Sequence, residues 1–142
     1  MKVYKTKARK FSGSDFHEVN QKASSLYSTI KKRSKRRAYI RSAYFKKDKI
    51  FLDLFWSHLF EKQNWRDRVR RIKYFGCAIE LINHSRFEPK SKENHNQPSE
   101  ILHRFYGITA DDELFCAQIK EYKKNGQKFL ISVFPTDGPT DT

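Results

Sequence analysis

The chain has 142 residues, of which 30 are lysine or arginine and 16 are aspartate or glutamate, giving a formal net charge of +14 at pH 7. Apolar residues make up 37% of the chain, enough for the core of one domain, so global disorder is not expected. No stretch approaches the roughly 18 apolar residues of a membrane-spanning helix, and the N-terminus lacks the apolar segment of a signal peptide. We therefore expect a cytoplasmic protein with a polyanionic partner and no membrane association.

The excess positive charge lies in the first half of the chain. Residues 1–71 contain 21 basic and 6 acidic side chains, whereas residues 72–142 contain 9 and 10. This distribution is consistent with binding and chemistry being carried by different halves.

The first 33 residues predict a basic arm followed by a helix. Residues 1–13 contain five lysines or arginines and little apolar periodicity, which indicates a flexible arm that either lies along phosphates or only aids solubility. From Phe16 to Ile30 apolar residues recur at spacings of three and four, which predicts a helix over about 15–33. Asp15 and Glu18 have the spacing of a capping box at its start.

A basic and aromatic segment follows that helix. Ten of the nineteen residues from 31 to 49 are lysine or arginine. Cations neutralise phosphates and aromatic rings accept stacked bases, so this composition favours nucleic-acid binding over a solvated charge run with core aromatics. Residues 38–53 form either a hairpin about Lys47–Asp48 or a helix, and the pattern leaves both open. The residues predicted to contact nucleic acid are Lys31, Lys32, Arg33, Lys35, Arg36, Arg37, Tyr39, Arg41, Tyr44, Lys46 and Lys47, with Gln118 farther along.

The middle of the chain predicts two more helices and a loop. Asp53 can begin a short helix that runs to about Lys62, and Asn64 can cap a longer amphipathic helix over 65–83. Residues 84–99 are polar and contain two prolines, so they are predicted to form a loop.

The C-terminal third predicts a three-stranded antiparallel meander over 100–109, 113–121 and 128–134, with a tight turn at Asn125–Gly126. Strand alternation places Ile119 and Ile131 on the core face and Lys128 on the other. The expected fold is α+β, with N-terminal helices packed on a C-terminal antiparallel sheet of three to five strands. One domain covers residues 14–135, and residues 136–142 form a disordered tail.

Polar side chains on these strands could carry RNA cleavage. Gln118, Lys120 and Ser132 share one predicted face, and either His103 or Arg104 joins them, because a bulge would exchange those two neighbours. Cleavage requires a base, an acid and cations for the developing phosphate charge. The predicted catalytic residues are His103, Arg104, Lys120 and Ser132. The alternative is a surface histidine beside ordinary strand residues.

Metal and thiol chemistry is not predicted. His84, His95 and His103 are not supported by a carboxylate or thiolate cluster, so we expect no metal and no cofactor. Cys77 and Cys116 lie among apolar residues and predict buried thiols.

Three segments of the predicted sheet resemble a known family. Residues 100–109 read EILHRFYGIT, residues 114–121 read LFCAQIKE and residues 129–135 read FLISVFP. Together they are similar to the barnase, EndoU, colicin and RelE-like (BECR) nuclease superfamily, above all to its phage-associated branch. The likeness covers about 99–135. It implies a small domain of helices followed by an antiparallel sheet that bears a metal-independent ribonuclease site.

The resemblance also implies roles for individual residues. It gives the histidine role to His103, a cationic role to Arg104 or Lys120, and the hydroxyl of the last strand to Ser132. The glutamate base of the barnase-like branch has no counterpart, because Glu100 precedes the motif and Glu121 should face away from Lys120. His103 or an uncharged Lys120 would then be the base.

The sequence therefore predicts a metal-independent endoribonuclease, toxin-like or phage-associated, that cleaves RNA through attack of the 2′-hydroxyl. The expected partner is RNA, with transfer RNA or ribosome-bound messenger RNA as candidates, and a protein inhibitor or antitoxin is a further candidate partner. The alternative is a non-catalytic RNA- or DNA-binding basic protein. A structural or ribosome-associated protein is a third reading.

Overall fold

The computed structural model describes residues 2–61 and 64–137, which form four helices and a curled seven-stranded sheet. This confirms the mixed α+β class. The elements in chain order are β1 Tyr4–Lys5, α1 Phe16–Ser34, β2 Tyr39–Arg41, β3 Lys49–Phe51, α2 Asp53–Glu61, α3 Trp65–Ile72, α4 Phe75–His84, β4 Lys90–Asn94, β5 Gln97–Ile108, β6 Leu114–Tyr122 and β7 Lys128–Pro135.

The sheet is larger than predicted. Its strand order is β1–β5–β6–β7–β3–β2, with β4 also paired to β5. The meander β5–β6–β7 is antiparallel as predicted, while β3 runs parallel to β7 and antiparallel to β2. The prediction of three to five strands behind a block of N-terminal helices is wrong, because β2 and β3 lie between α1 and α2. Each has three residues, too few for alternation to reveal a strand.

Residues 39–51 form the hairpin and not the helix, of the two alternatives that the pattern left open. Ile40 pairs with Ile50 across it, and the Ser42 amide donates to the Asp48 carbonyl oxygen at 3.0 Å. The turn contains Lys46 and Lys47, both with left-handed backbone, at φ of 55° and 70°.

The helices begin where their caps predict. The Asp15 carboxylate accepts the Glu18 amide at 2.9 Å, and the Asn64 side chain accepts the Arg66 amide at 2.9 Å. The prediction of one helix over 65–83 is wrong, because α3 ends at Ile72 and α4 begins at Phe75.

The break between α3 and α4 lies at Lys73 and Tyr74, which contact distant parts of the chain. The Phe11 amide donates to the Lys73 carbonyl oxygen at 2.8 Å. Tyr74 stacks on Phe115, with ring centroids 5.8 Å apart, and its hydroxyl donates to Glu113 at 2.8 Å. These contacts with distant elements override the helical pattern.

Two segments were predicted to be irregular, the arm over 1–13 and the loop over 84–99. In the structure both contribute strands to the sheet. Of the arm predicted as flexible over 1–13, Tyr4–Lys5 pairs with β5, and the Glu80 carboxylate accepts the Lys7 and Ala8 amides at 2.7 and 3.0 Å. The loop predicted over 84–99 contains β4. In the predicted tail, residues 138–142 lie outside the described residues.

The meander has an inner face packed on the helices and an outer face opposite. Phe105, Ala117, Ile119 and Val133 lie on the inner face and are 0–2% exposed. A register shift between Gln118 and Ile119 pairs these residues with Ser132 and Leu130, so Ile131 is the extra residue of a β-bulge.

The bulge reverses one part of the predicted alternation. Leu130 is completely buried, whereas Ile131 is half-buried. Lys128 is turned to the inner face and is buried. The prediction that Ile131 is a core residue and Lys128 an outward one is therefore wrong, although Ile119 lies in the core as predicted.

Candidate functional site

Four polar residues of the meander share its outer face. Arg104 pairs with Gln118 and Gln118 pairs with Ser132 across β5, β6 and β7, and Lys120 lies two residues beyond Gln118. Facing residues in an antiparallel pair share a face, and so do residues two apart in one strand. The sequence prediction that Gln118, Lys120 and Ser132 lie together is confirmed, and Arg104 joins them.

Glu100 completes this set, which we call the outer-face group: Glu100, Arg104, Gln118, Lys120 and Ser132. The Lys120 ammonium lies 3.8 Å from a Glu100 carboxylate oxygen, and the two side chains are 15% and 12% exposed. Arg104 Nε donates to the Gln118 side-chain oxygen at 2.9 Å. The group therefore holds a carboxylate and two cations, partly shielded from water, on a rigid support.

Arg71, on α3, contacts the outer-face group through Ser132. It was not predicted as a site residue. Its Nη1 donates to Ser132 Oγ at 2.8 Å, and its Nε donates to Asp67 at 2.9 Å. Burial alone would raise the pKa of Asp67, but the hydrogen bonds and charges of Arg71 and Arg70 lower it. The one signal in the sequence was the spacing of four residues between Asp67 and Arg71, which is typical of a helical ion pair.

His103 is not part of the outer-face group. It pairs with Ile119, so its ring lies on the inner face, where it is 7% exposed. Its Nε2 lies 2.7 Å from Glu121 Oε1 and its Nδ1 lies 2.6 Å from Ser91 Oγ. The prediction that His103 lies within reach of Lys120 and Ser132 is wrong, because the thickness of the sheet separates them.

Lys128 and Asp48 extend these inner contacts into a network that we call the inner-face cluster: Asp48, Ser91, His103, Glu121 and Lys128. The Lys128 ammonium lies 2.8 Å from the Asp48 carboxylate and 4.0 Å from that of Glu121. Phe45 covers the cluster, 5.0 Å from the His103 ring and 4.8 Å from the Lys128 ammonium. The groups of this cluster are engaged with one another.

An aromatic row runs along the outer face beside the outer-face group. Its centroid distances are 6.3 Å from Tyr39 to Phe51, 5.6 Å from Phe51 to Phe129 and 5.5 Å from Phe129 to Tyr122. The Lys120 ammonium lies 4.9 Å from the Tyr122 ring. Four rings therefore form a continuous row across β2, β3, β7 and β6, with Lys120 at the Tyr122 end.

The basic segment 31–49 is divided between several surroundings. Lys31, Lys32, Arg33, Lys35 and Arg36 are exposed at the end of α1 and just beyond it. Lys46 and Lys47 are exposed in the hairpin turn.

Three further residues of that segment make specific contacts. Arg37 forms a bidentate pair with Asp53, at 2.8 and 3.1 Å, and its guanidinium lies 4.4 Å from the Phe51 ring. Arg41 lies 5.4 Å from the Tyr39 ring. Tyr44 is partly buried and packs against Phe105 beside the core, so its predicted contact with nucleic acid stays a prediction.

Other chemistry finds little support in residues 2–61 and 64–137. No group of three or more histidine, cysteine, aspartate or glutamate side chains there could hold a metal ion. Both cysteines are free and buried, and burial raises the pKa of Cys77 to about 11 and that of Cys116 to about 12. Among these residues, every helix is too short or too polar to cross a membrane.

Comparisons of the chain with protein-family models, with curated proteins and with solved structures found no match.

Proposed function

We propose that this chain is a metal-independent endoribonuclease that binds RNA on the outer face of the meander and cleaves it there. The observation that carries the proposal is the Glu100–Lys120 pair at 3.8 Å, on the same face as Arg104 and Ser132. A carboxylate and a cation side by side supply a proton acceptor and a charge that stabilises a phosphorane.

The outer-face group can carry each part of the reaction. Glu100 accepts the proton of the 2′-hydroxyl, whose oxygen attacks the neighbouring phosphorus while the bond to the 5′-oxygen breaks. Lys120 donates a proton to the departing 5′-oxygen, and Arg104 stabilises the non-bridging oxygens. The products are a 2′,3′-cyclic phosphate and a free 5′-hydroxyl. In this proposal Glu100 replaces His103 as the base.

The surroundings of the group fit a single-stranded substrate. Tyr39 and Tyr122, at the two ends of the aromatic row, are partly exposed beside the site, and stacked bases interact with such rings whatever their sequence. Phe129, inside the row, is 4% exposed and serves as support. Lys92 and Leu102 face each other across β4 and β5 on the same side of the sheet, so β4 adds a further cation. Cations along such a surface neutralise the phosphates of a bound strand.

The decisive experiment is cleavage of a defined single-stranded RNA by the purified chain in the presence of excess chelator. We expect products with 2′,3′-cyclic phosphate ends and no cutting of a strand with 2′-deoxyribose at the cleavage site. Glu100→Gln should lower the rate by about 100- to 10,000-fold, because it removes the proton acceptor and keeps the shape. Full activity in that variant would overturn the assignment.

Glu93→Gln is a matched control, because Glu93 also pairs with a lysine, Lys123, but lies outside the outer-face group. We expect this variant to cleave at the wild-type rate. An equal loss in both variants would indicate a general effect of charge and not a catalytic role for Glu100.

A second candidate function is RNA binding without cleavage. It is favoured by the burial of His103, both of whose ring nitrogens are engaged by Ser91 and Glu121, since this removes the predicted acid–base group from the outer face. A chain that binds the RNA in the chelator experiment but leaves it intact would establish this candidate and exclude the nuclease.

A further inference from the structure

A basic cavity of about 840 Å³ lies between the β2–β3 turn and the C-terminal end of α4. Arg41, Lys46 and Lys47 line it from the turn, and His84 and Arg86 line it from the helix end and the segment that follows. All five of these residues are exposed. The volume is within the usual range for sites that bind small molecules and cofactors.

We call this space the turn cavity. None of the described residues that line the turn cavity is aspartate or glutamate, so its cations have no acidic neighbour in the lining. Asp48 follows Lys47 in the chain, but its carboxylate binds the Lys128 ammonium at 2.8 Å. Uncompensated cations around a concave surface produce a positive potential that attracts anions.

The backbone of the turn provides an independent indication of function. Lys46 and Lys47 both have left-handed backbone, which is unfavourable for a residue with a side chain and is usually occupied by asparagine or glycine in hairpin turns. Such strain is typical of ligand-binding loops. At these two positions the sequence has lysine where the backbone geometry favours Asn-Gly.

The turn is also held in place without any ligand. Arg41 Nη1 donates to the Lys47 carbonyl oxygen at 2.9 Å, and the Ala43 amide donates to the Ile82 carbonyl oxygen at 3.1 Å. The Ser85 amide donates to the Leu81 carbonyl oxygen at 2.9 Å. The Leu81 and Ile82 carbonyls in the last turn of α4 thus have backbone donors and do not require the cations.

We propose that the turn cavity is a second binding site, which takes the phosphate groups of a nucleotide. One source of that nucleotide is an RNA strand that extends from the outer face, and this version rests on the proposed function. Arg41 lies between the turn cavity and the aromatic row of the outer face, since it lines the cavity and its guanidinium lies 5.4 Å from the Tyr39 ring. The other source is a free nucleoside triphosphate.

The first test is calorimetric titration of the full chain with inorganic triphosphate, comparing Lys47→Gly with Lys124→Gly. Both variants replace an exposed turn lysine by glycine, but Lys124 does not line the cavity. We expect Lys47→Gly to weaken binding about tenfold, the usual effect of losing a charge-assisted hydrogen bond, and Lys124→Gly to have no such effect. Absence of binding by the wild type, or equal losses in the two variants, would overturn the proposal.

A thermal melt of the same variants separates a binding role from a structural one. Lys47→Gly removes backbone strain, so its melting temperature should equal or exceed that of the wild type while triphosphate binding weakens. Arg86→Gln, which leaves the turn unchanged, should weaken triphosphate binding as well. Wild-type affinity for triphosphate in Arg86→Gln would contradict the proposal. So would a Lys47→Gly variant that loses triphosphate binding and also melts well below the wild-type temperature, because its loss would then be due to unfolding.

The two sources are distinguished by titrating ATP and a twelve-nucleotide RNA into wild type and Lys47→Gly. If the strand occupies the cavity, the variant weakens RNA binding and flattens its salt dependence by about 0.7. If the ligand is a free nucleotide, the loss is confined to ATP. A wild type that binds triphosphate through Lys47 but cuts no RNA would refute the nuclease proposal and support the turn cavity as a binding site, and the RNA and ATP titrations would still identify the ligand.

Discussion

Both faces of the meander carry a lysine beside carboxylates, but the number of carboxylates near that lysine differs. In the inner-face cluster Lys128 lies between two carboxylates, at 2.8 and 4.0 Å, and its side chain is 7% exposed. In the outer-face group Lys120 has one carboxylate, at 3.8 Å, and is 15% exposed. The two lysines therefore differ more in their partners than in their burial.

This difference separates a structural network from a binding surface. On the inner face Asp48 and Glu121 both lie beside Lys128, and Ser91 and Glu121 engage the His103 ring, so these groups have partners within the protein. On the outer face Arg104 and Lys120 have one carboxylate, Glu100, among the members of the group. Two cations with a single carboxylate leave the group with a net positive charge that can bind an anion, which is why we place the chemistry on this face.

The largest expected effect is kinetic and belongs to the outer face. Lys120→Gln removes both the proton donor and a cation from the reacting phosphate, so we expect a decrease of about 100- to 10,000-fold in the rate of RNA cleavage. The loss of stability should be smaller than the change in rate, because Lys120 has one carboxylate neighbour, at 3.8 Å, and glutamine keeps a polar group beside it. Cleavage assays together with urea titration measure both quantities, and an active Lys120→Gln variant would refute this role.

The second prediction concerns the inner face, where the same type of substitution should affect stability and not chemistry. Lys128→Met removes the cation that lies between Asp48 and Glu121 and leaves the partly buried Glu121 with less compensation. Breaking a fully buried ion pair costs about 3–5 kcal/mol of unfolding free energy, and we expect a smaller loss here because the Asp48 and Glu121 side chains are 57% and 20% exposed. Urea titration measures this loss. A variant as stable as the wild type would show that the inner-face cluster does not stabilise the fold.

The third prediction tests the bulge that sets the two faces. Leu130→Ala should cost about 2–5 kcal/mol of unfolding free energy, as expected for a fully buried leucine, whereas half-buried Ile131→Ala should cost clearly less. Denaturant titration of both variants gives the difference. Equal losses, or a larger loss at Ile131, would mean that regular alternation continues through β7.

Elements with long periodic patterns were predictable from the sequence. The helix from Phe16 has four turns of apolar spacing and a capping carboxylate, and Asn125–Gly126 marks the turn between β6 and β7. The strands β1, β2 and β3 have two or three residues and depend on distant partners for pairing, so no local pattern reveals them. The bulge at Ile131 was likewise hidden, because one extra residue leaves the composition of the strand unchanged.

The candidate site was partly predictable for the same reason. Gln118, Lys120 and Ser132 could be grouped by alternation within strands, whereas the place of Glu100 beside Lys120 depends on the register between β5 and β6. The face of His103 was undetermined, because its neighbours Arg104, Phe105 and Tyr106 are compatible with either orientation of the strand. Phe105 packs in the core, and this fixes His103 on the inner face.

The smallest expected effect concerns Asp67, whose carboxylate holds Arg71 beside Ser132. Because its pKa is lower in the folded protein than the ordinary 3.8, ionised Asp67 contributes stability above that pH and loses it as the pH falls through the folded-state pKa. Asp67→Asn should therefore cost up to about 1 kcal/mol at pH 6. The difference from wild type should shrink by pH 3, as measured by urea titration at both values. A constant difference would show that the charge of Asp67 adds nothing and that its role on the outer face is only steric.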